Sequence, residues 1–189
     1  MTQHDVVAQS PLVRAVLVSY RLPLAGVHGP AHWLRVLVNG HALAALTPDA
    51  DAEVVGLFAL LHDSHRVNEH RDPQHGERAA DFVRQLASQG LLPIEGPRIT
   101  MLAAACARHE LGEVTNHPTI GCCWDADRLE LSRLHRRPKP ELLSTKAAMS
   151  PALQAAAWVR GTGQVVDPVL ARDWGLPQGA LSWSNGAPL

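Results

Sequence analysis

An apolar run that ends in a histidine and an aspartate is the feature that most constrains how this chain folds. Residues 54–61 read Val-Val-Gly-Leu-Phe-Ala-Leu-Leu, and His62 and Asp63 follow directly. The run predicts a buried element, and an imidazole and a carboxylate at its end are costly to bury without a partner. A divalent cation satisfies both groups at once, because nitrogen and oxygen donors suit first-row metals. The pair therefore indicates half of a metal site.

The rest of the chain is patterned for helices and not for strands. Apolar residues recur at spacings of three and four, strand-like alternation is weak, and no internal repeat stands out, which predicts an all-α helical bundle. Prolines and glycines divide this pattern into segments. The predicted helices cover residues 31–46, 48–62, 75–88, 98–109, 119–134 and 141–159, the last with a restart at Ser150-Pro151. For residues 11–22, helix and strand both remain open.

The length of the chain, 189 residues, suits one domain with a substantial core. We expect a helical domain over residues 1–160. Residues 161–189 are rich in glycine, proline and tryptophan without a clear period, and we expect them to form an irregular, extended tail packed on the domain. Because Trp174 and Trp183 lie in this tail, burial on a second subunit, and hence a homo-oligomer, stays open.

Charge and cysteine content narrow the classes of partner. The formal net charge is -1, so no global basic field favours nucleic acid or an anionic membrane. The sequence shows no pattern typical of a signal peptide or a spanning helix. Cys106, Cys122 and Cys123 have no CxxC spacing and lie among apolar residues, which favours reduced thiols and a cytoplasmic protein. The basic cluster at residues 133–139 is interpreted as a solvated connector.

Other parts of the chain supply candidates for the second half of the metal site. The chain has 11 histidines but only 5 Trp, 2 Phe and 1 Tyr, an unusual balance without a histidine-rich tract. His32, His75, His109 and Asp127 each lie in a helix-like setting with apolar neighbours. Together with His62 and Asp63 they make six nitrogen and oxygen ligands, which are enough for two metals.

The ordered set His32, His62-Asp63 and Asp127 resembles the HD superfamily of metal-dependent phosphohydrolases, whose pattern is H…HD…D on a bundle of helices. Residues 28–36 resemble the family's first-ligand helix, in which Arg-Val follows the ligand histidine by three positions. Residues 125–129 resemble the family's last-ligand segment, in which the aspartate of an Ala-Asp-Arg-Leu string is the ligand. By this comparison Asp127 is the ligand and Asp125 is an outer or surface residue. Residues 72–80 and 106–109 resemble the segments that supply two more histidines, His75 and His109, in the two-metal branch. The resemblance covers residues 28–135.

This resemblance implies a metal-dependent hydrolase that acts on a small phosphorylated substrate, with nucleotides among the candidates, through a metal-activated water. One or two divalent ions would be bound, with Mn, Fe, Co, Ni, Zn and Mg all open. Asp63 would be both a ligand and a catalytic residue, since it is the natural bridge between two ions. Arg35 and Arg66 are candidates for binding the phosphate or for pairing with a ligand, and Glu69 for a general acid or an outer base.

Two other functions stay open at this point. The same six ligands loaded with two irons resemble the HD-type oxygenases that cleave carbon–carbon or carbon–phosphorus bonds. A regulatory module would instead use the ions to position a nucleotide without turnover. The sequence contains no base- or ribose-recognition motif that would identify the substrate.

Overall fold

The computed structural model describes residues 10–181, and this part of the chain is helical without a strand, which confirms the predicted all-α class. Its α-helices are α1 (Pro11–Ser19), α2 (Pro30–Ala44), α3 (Ala52–Leu61), α4 (His75–Ser88), α5 (Pro97–Arg108), α6 (Pro118–Leu129), α7 (Pro151–Thr162) and α8 (Pro168–Asp173). Short 3₁₀ turns lie at His109–Leu111, Glu130–Leu134, Pro140–Leu142, Ala147–Met149 and Gln178–Ala180.

Proline begins six of these eight helices. A proline at the first position costs no helical hydrogen bond, because the first amide groups of a helix have no partner, and its φ angle is already helical. The residue before it often completes the start: the side chains of Ser10, Ser150 and Asp167 accept bonds from the first-turn amides of α1, α7 and α8. The segment whose type the sequence left open is thus a helix, and the restart at Ser150-Pro151 is confirmed.

The start of α3 was predicted wrongly. The sequence indicated a helix from Pro48 with Thr47 as its cap, but the helix begins at Ala52. Asp49 has a left-handed φ of 62°, which interrupts any helix at that point. The carboxylate of Asp51 then accepts hydrogen bonds from the amides of Glu53 and Val54 and caps α3.

The predicted helix over residues 119–134 ends early and has a different cap. The α-helical part stops at Leu129, and a 3₁₀ segment continues to Leu134. The cap is His117, whose Nδ1 accepts from the amide of Ile120. Thr119 lies inside α6, and its hydroxyl accepts a hydrogen bond from the amide of Asp51, at the start of α3.

The predicted helix over residues 141–159 is helical only from Pro151, preceded by two 3₁₀ turns. The cause is a tertiary contact: the buried carboxylate of Asp125 accepts hydrogen bonds from the amides of Ser144 and Thr145 at 2.7–3.0 Å. Those amides cannot take part in a helical ladder at the same time. Asp125 therefore shapes this connection, although the sequence placed it as an outer or surface residue.

The segment after residue 161 is not fully extended, because it contains α8, capped by Asp167. In this segment Ala171 is buried, and Leu170 and Trp174 lie against the core. Trp183 lies outside the described residues.

The core lies between α2, α3, α5 and α6, with α4 packed along α5 and α7 against α2 and residues 130–134. Trp33 of α2 and Phe58 of α3 are fully buried at its centre. Gly40 permits the close approach of α2 and α3, since a Cβ atom there would lie 2.5 Å from Cγ1 of Val55. As a result, several helix ends meet at one place beside the core.

The three cysteines are free and buried, as predicted. No helix between residues 10 and 181 has the length and the apolar character required to cross a membrane.

Candidate metal centre

All six predicted ligands come together where the helix ends meet. His32 lies in the first turn of α2 and Asp127 in the last turn of α6. The other four lie at helix ends: His62 and Asp63 directly after α3, His75 at the first position of α4, and His109 directly after α5. Five of the side chains are buried, while the Asp127 side chain keeps 22% of its surface exposed. The centre is therefore enclosed on most sides and open beside Asp127.

A first group of donor atoms belongs to His32, His62, Asp63 and Asp127. The Nε2 atoms of His32 and His62 are 3.1 Å apart. Each lies 3.5–3.7 Å from Oδ2 of Asp63 and from Oδ1 of Asp127. Two imidazoles and two carboxylates thus face one point.

A second group is formed by His75, His109 and the other oxygen of Asp63. The Nε2 atoms of the two histidines are 2.8 Å apart. Oδ1 of Asp63 lies 3.2 Å from Nε2 of His75 and 3.6 Å from Nε2 of His109. Asp63 consequently presents one carboxylate oxygen to each group, the arrangement expected of a bridging ligand.

The outer nitrogens of three of the four histidines, His62, His75 and His109, are held by backbone carbonyls. Nδ1 of His62 donates to the carbonyls of Phe58 and Ala59, and the Phe58 ring stacks on the imidazole. Nδ1 of His75 lies 2.6 Å from the carbonyl of Asp72, and Nδ1 of His109 lies 2.7 Å from that of Cys106. A proton held on Nδ1 leaves the Nε2 lone pair free, which is how proteins orient metal-binding imidazoles.

The spacing of the donors fits a metal ion. Imidazole nitrogens bind first-row metals at about 2.0–2.1 Å, so two such ligands at right or tetrahedral angles lie about 2.8–3.4 Å apart. The pairs of Nε2 atoms, at 3.1 and 2.8 Å, are close to this range. Two inward-facing lone pairs at such distances repel each other unless a cation or proton lies between them. The cluster could therefore hold metal, and three overlapping groups of its side chains have donor atoms within 4.8 Å of one another.

The electrostatic environment keeps the carboxylates ionised. Burial by itself would raise the pKa of Asp63 and Asp127, but hydrogen bonds from neighbouring histidines hold both pKa values below the usual range. Burial lowers the pKa of His62, which favours the neutral ring that a metal requires. Ionised carboxylates and neutral imidazoles are the ligand forms that bind divalent ions.

Arg35 and Arg66, the two arginines predicted at the site, have different surroundings. Arg35 is buried, and its Nε donates to Oε1 of Glu130 at 2.5 Å. Nη1 of Arg66 lies 3.6 Å from Oδ1 of Asp63 and 3.2 Å from Nε2 of His75. Arg66 is thus beside the second donor group, and Arg35 reaches the first only through Glu130.

Glu69 lies at the edge of the centre and not within it. Its Oε2 is 2.5 Å from Nδ1 of His28, and the His28 ring meets the His32 ring edge to face at 6.2 Å. Its Oε1 is buried without a hydrogen-bond partner among the described residues.

Sequence reasoning missed two glutamates that contact ligands. Glu130 is fully buried, with Oε1 at 3.7 Å from Nδ1 of His32, and Oε2 of Glu110 lies 3.2 Å from Nδ1 of His75. Both carboxylates face the outer nitrogen of a ligand and can hold its proton. A signal existed for Glu130, because it lies one helical turn after Asp127 and therefore on the same side of the chain.

A cavity of about 680 Å³ adjoins the centre. Arg66 and His28 line it, and these two residues also contact Asp63 and His32. The opposite wall comes from the basic cluster after α6, including Arg133 and Arg136. Arg133 is buried, so the interpretation of this cluster as a solvated connector is wrong for that residue.

No protein-family model, curated protein or solved structure matches the chain. The buried histidine–aspartate cluster is compatible with an HD-like site. What the protein does must therefore be inferred from the chemistry of the site and from the motifs that build it.

Proposed function

We propose that this protein is an HD-type phosphohydrolase that cleaves a phosphate ester with the help of one or two divalent metal ions. The observation that carries the proposal is the position of Asp63, whose two oxygens face two separate groups of imidazole nitrogens beside an arginine-lined cavity. A shared carboxylate next to a cationic cavity suits a reaction in which a phosphoryl group meets an activated water.

His32, His62, Asp63 and Asp127 would hold one ion, and Asp63, His75 and His109 the other. Bound ions would supply a nucleophilic water at neutral pH and stabilise charge on the phosphoryl oxygens. Oε1 of Glu130 lies 3.7 Å from Nδ1 of His32 and accepts a hydrogen bond from Nε of Arg35, so it is placed to orient the His32 ring. These two residues position a ligand without reaching the substrate.

Arg66 and Glu69 would act on the substrate side. The guanidinium of Arg66 lies between Asp63 and the cavity, where it can bind a phosphoryl oxygen. Glu69 lines the same cavity and holds a proton between itself and His28. A carboxyl group in that place can pass a proton to a leaving alcohol.

The test combines metal analysis with a screen for phosphate release. Protein purified without added metal is analysed for its elements and assayed on phosphomonoesters, phosphodiesters and nucleotides. We expect one to two divalent ions per chain and release of phosphate. Asp63→Ala should lose both metal and turnover while keeping its helical circular dichroism, because the site lies at helix ends and outside the apolar core. Asp127→Asn, at the more exposed ligand, should show the same losses.

Asp81→Ala is the matched control, since Asp81 is an exposed aspartate on α4 that pairs with Arg84. Full turnover in Asp63→Ala would contradict the proposal. Two irons per chain with oxygen-dependent turnover and no phosphate release would replace the hydrolase by an oxygenase. Bound metal and bound nucleotide without any turnover would indicate a regulatory module.

A further inference from the structure

The cavity beside the candidate metal centre carries more positive charge than cleavage of one phosphate ester requires. Four arginines line it, Arg66, Arg71, Arg133 and Arg136, while Glu69 is the one acidic residue among its lining residues. Arg66 lies against Asp63, whereas no ion pair joins the other three to any of the six donor residues. A water molecule and one phosphoryl group at the ions would leave Arg71 and Arg136 without a counter-charge.

These three arginines form no ion pair among residues 10–181, and Glu130 is the acidic residue whose charge interacts with Arg133. Arg71, Arg133 and Arg136 have no carboxylate oxygen within 4.0 Å, in contrast to Arg78 and Arg98, which form ion pairs elsewhere on the chain. Arg71 and Arg136 are exposed at the mouth of the cavity, and nothing in the described chain neutralises them.

Arg133 gives the stronger evidence for a bound anion. Its side chain is 6% exposed, its Nη1 donates to the carbonyl of Glu130, and its Nε is buried without a hydrogen-bond partner. A buried guanidinium without an ion-pair partner is costly, and an anion in the cavity that Arg133 lines would supply one. Arginine is well suited to this role, because its planar fork matches the oxygens of a phosphate or a carboxylate.

The volume also indicates more than one small ion. Pockets for small molecules typically enclose about 300–1,000 Å³, and this cavity, at about 680 Å³, can take a whole metabolite. One end of such a molecule would lie beside Arg66 and the ligands, and the other among the three arginines.

We propose that the substrate carries two anionic groups, a phosphate ester cleaved at the metal centre and a second phosphate or carboxylate bound by Arg71, Arg133 and Arg136. This inference rests on the proposed hydrolytic function for the first group only. The second group is a binding element, whose affinity does not depend on turnover.

Binding of inorganic phosphate, followed by calorimetry, tests the arginine subsite without any catalysis. Arg136→Gln and Arg71→Gln should each weaken phosphate binding by about threefold or more, since each removes a charge-assisted contact. Arg137→Gln is the matched control, because Arg137 is the next residue but stacks on Trp158 at 4.3 Å and does not line the cavity. It should bind phosphate like the unmodified protein.

The same comparison in an Asp63→Asn background separates the two proposals. If Asp63→Asn/Arg136→Gln binds phosphate more weakly than Asp63→Asn/Arg137→Gln, the subsite exists whether or not the ligands support hydrolysis. Equal phosphate affinity in Arg71→Gln, Arg136→Gln, Arg137→Gln and the unmodified protein would overturn the inference.

Kinetics with paired substrates then identify the second group. Fructose 1,6-bisphosphate is compared with fructose 6-phosphate, and 3-phosphoglycerate with glycerol 3-phosphate. A lower KM for the doubly anionic member of a pair, lost in Arg136→Gln and kept in Arg137→Gln, supports the inference and shows whether phosphate or carboxylate is preferred. Equal KM values within both pairs would overturn it.

Discussion

At the scale of single residues, the site depends on how each imidazole is held. His62, His75 and His109 each use Nδ1 to bond a carbonyl of their own helix or of the residues just before it, so their Nε2 atoms face inward. Backbone carbonyls cannot rotate away as side chains can, and they fix both tautomer and orientation. The donor atoms are therefore pre-positioned before any metal arrives.

Removing one histidine of the second group should remove one ion. We expect His75→Ala and His109→Ala each to halve the metal content of a protein that binds two ions, because the first group keeps its two imidazoles and both carboxylates. Elemental analysis of the purified variants measures this. His41→Ala, at an exposed position of α2, should keep the full content. A content of one ion in the unmodified protein would contradict the two-metal arrangement.

At the scale of elements, the second group exists because α4 starts against the end of α5. Gly76 makes this approach possible: a Cβ atom there would lie 2.7 Å from the carbonyl oxygen of Cys106 and 2.9 Å from that of Ala107. Both are backbone atoms, and Cys106 also holds Nδ1 of His109. The packing of two helix ends thus brings His75 to His109.

Gly76→Ala should disturb that contact. We expect a loss of about 1–3 kcal/mol in the free energy of unfolding, the usual cost of overpacking, and a fall in metal content toward one ion per chain. Denaturant unfolding and elemental analysis measure the two effects. Glu77→Ala, the exposed next residue, should change neither by much. An unchanged metal content in Gly76→Ala would argue that the two helix ends can separate without loss of the site.

The cap of α3 permits a test of stability against pH. Asp51 accepts two amide hydrogen bonds and pairs with Arg98, and this pairing lowers the pKa of its carboxyl group in the folded state. Because the pKa of the Asp51 carboxyl group is lower in the folded state, its stabilisation of the fold is complete at pH values above the pKa of the unfolded chain. The stabilisation is lost as the pH falls through the pKa of the folded protein.

Asp51→Ala should therefore cost about 1 kcal/mol at pH 7, within the range of about 0.5–2 for a lost cap, and less below pH of about 4. Denaturant unfolding of both proteins at pH 7 and pH 3 gives the difference in unfolding free energy at each pH. Any loss of metal in acid affects both proteins alike and cancels in this difference. Asp81→Ala, an exposed aspartate, should change the unfolding free energy by less than about 0.5 kcal/mol. A difference for Asp51→Ala that grows in acid would show that the carboxylate does not stabilise α3.

At the scale of the whole molecule, the candidate metal centre joins five helices. Its ligands come from α2, from the ends of α3 and α5, from the start of α4 and from α6. Ions bound there would link segments that are far apart in sequence, and they would bind the folded chain in preference to the unfolded one.

Removal of metal should lower the melting temperature without unfolding the protein. An ion present at about 100 times its Kd adds about 2.7 kcal/mol, which corresponds to about 5–10 °C for a chain of this size. Thermal melts with and without EDTA measure the shift, and circular dichroism at room temperature should stay helical because the apolar core does not depend on the ions. Asp63→Ala should melt at the same temperature with and without EDTA. If the melting temperature of the unmodified protein also stays the same with EDTA, the result would contradict the proposed metal centre.

The sequence predicted most helices because their signals are local. Proline starts, serine caps and apolar spacings of three and four depend on neighbours along the chain, and α4 was predicted with its observed bounds. The sequence also indicated the six donor residues, because buried histidines and aspartates require a partner wherever the chain folds. The sequence was wrong at the start of α3 and in residues 141–150, because backbone amides there bond to distant side chains and not to their own helix. The amide of Asp51 donates to the hydroxyl of Thr119, and the amides of Ser144 and Thr145 donate to the carboxylate of Asp125.

The types of ligand and the helices that carry them were therefore determined by the sequence. Only the tertiary structure decided that Asp63 faces two groups, that Glu130 and Glu110 approach the outer nitrogens, and that Arg133 is buried in the wall of a cavity. The physical reason is that a side chain's partners depend on which helices pack together. That packing is a property of the whole core, which no single stretch of the chain encodes.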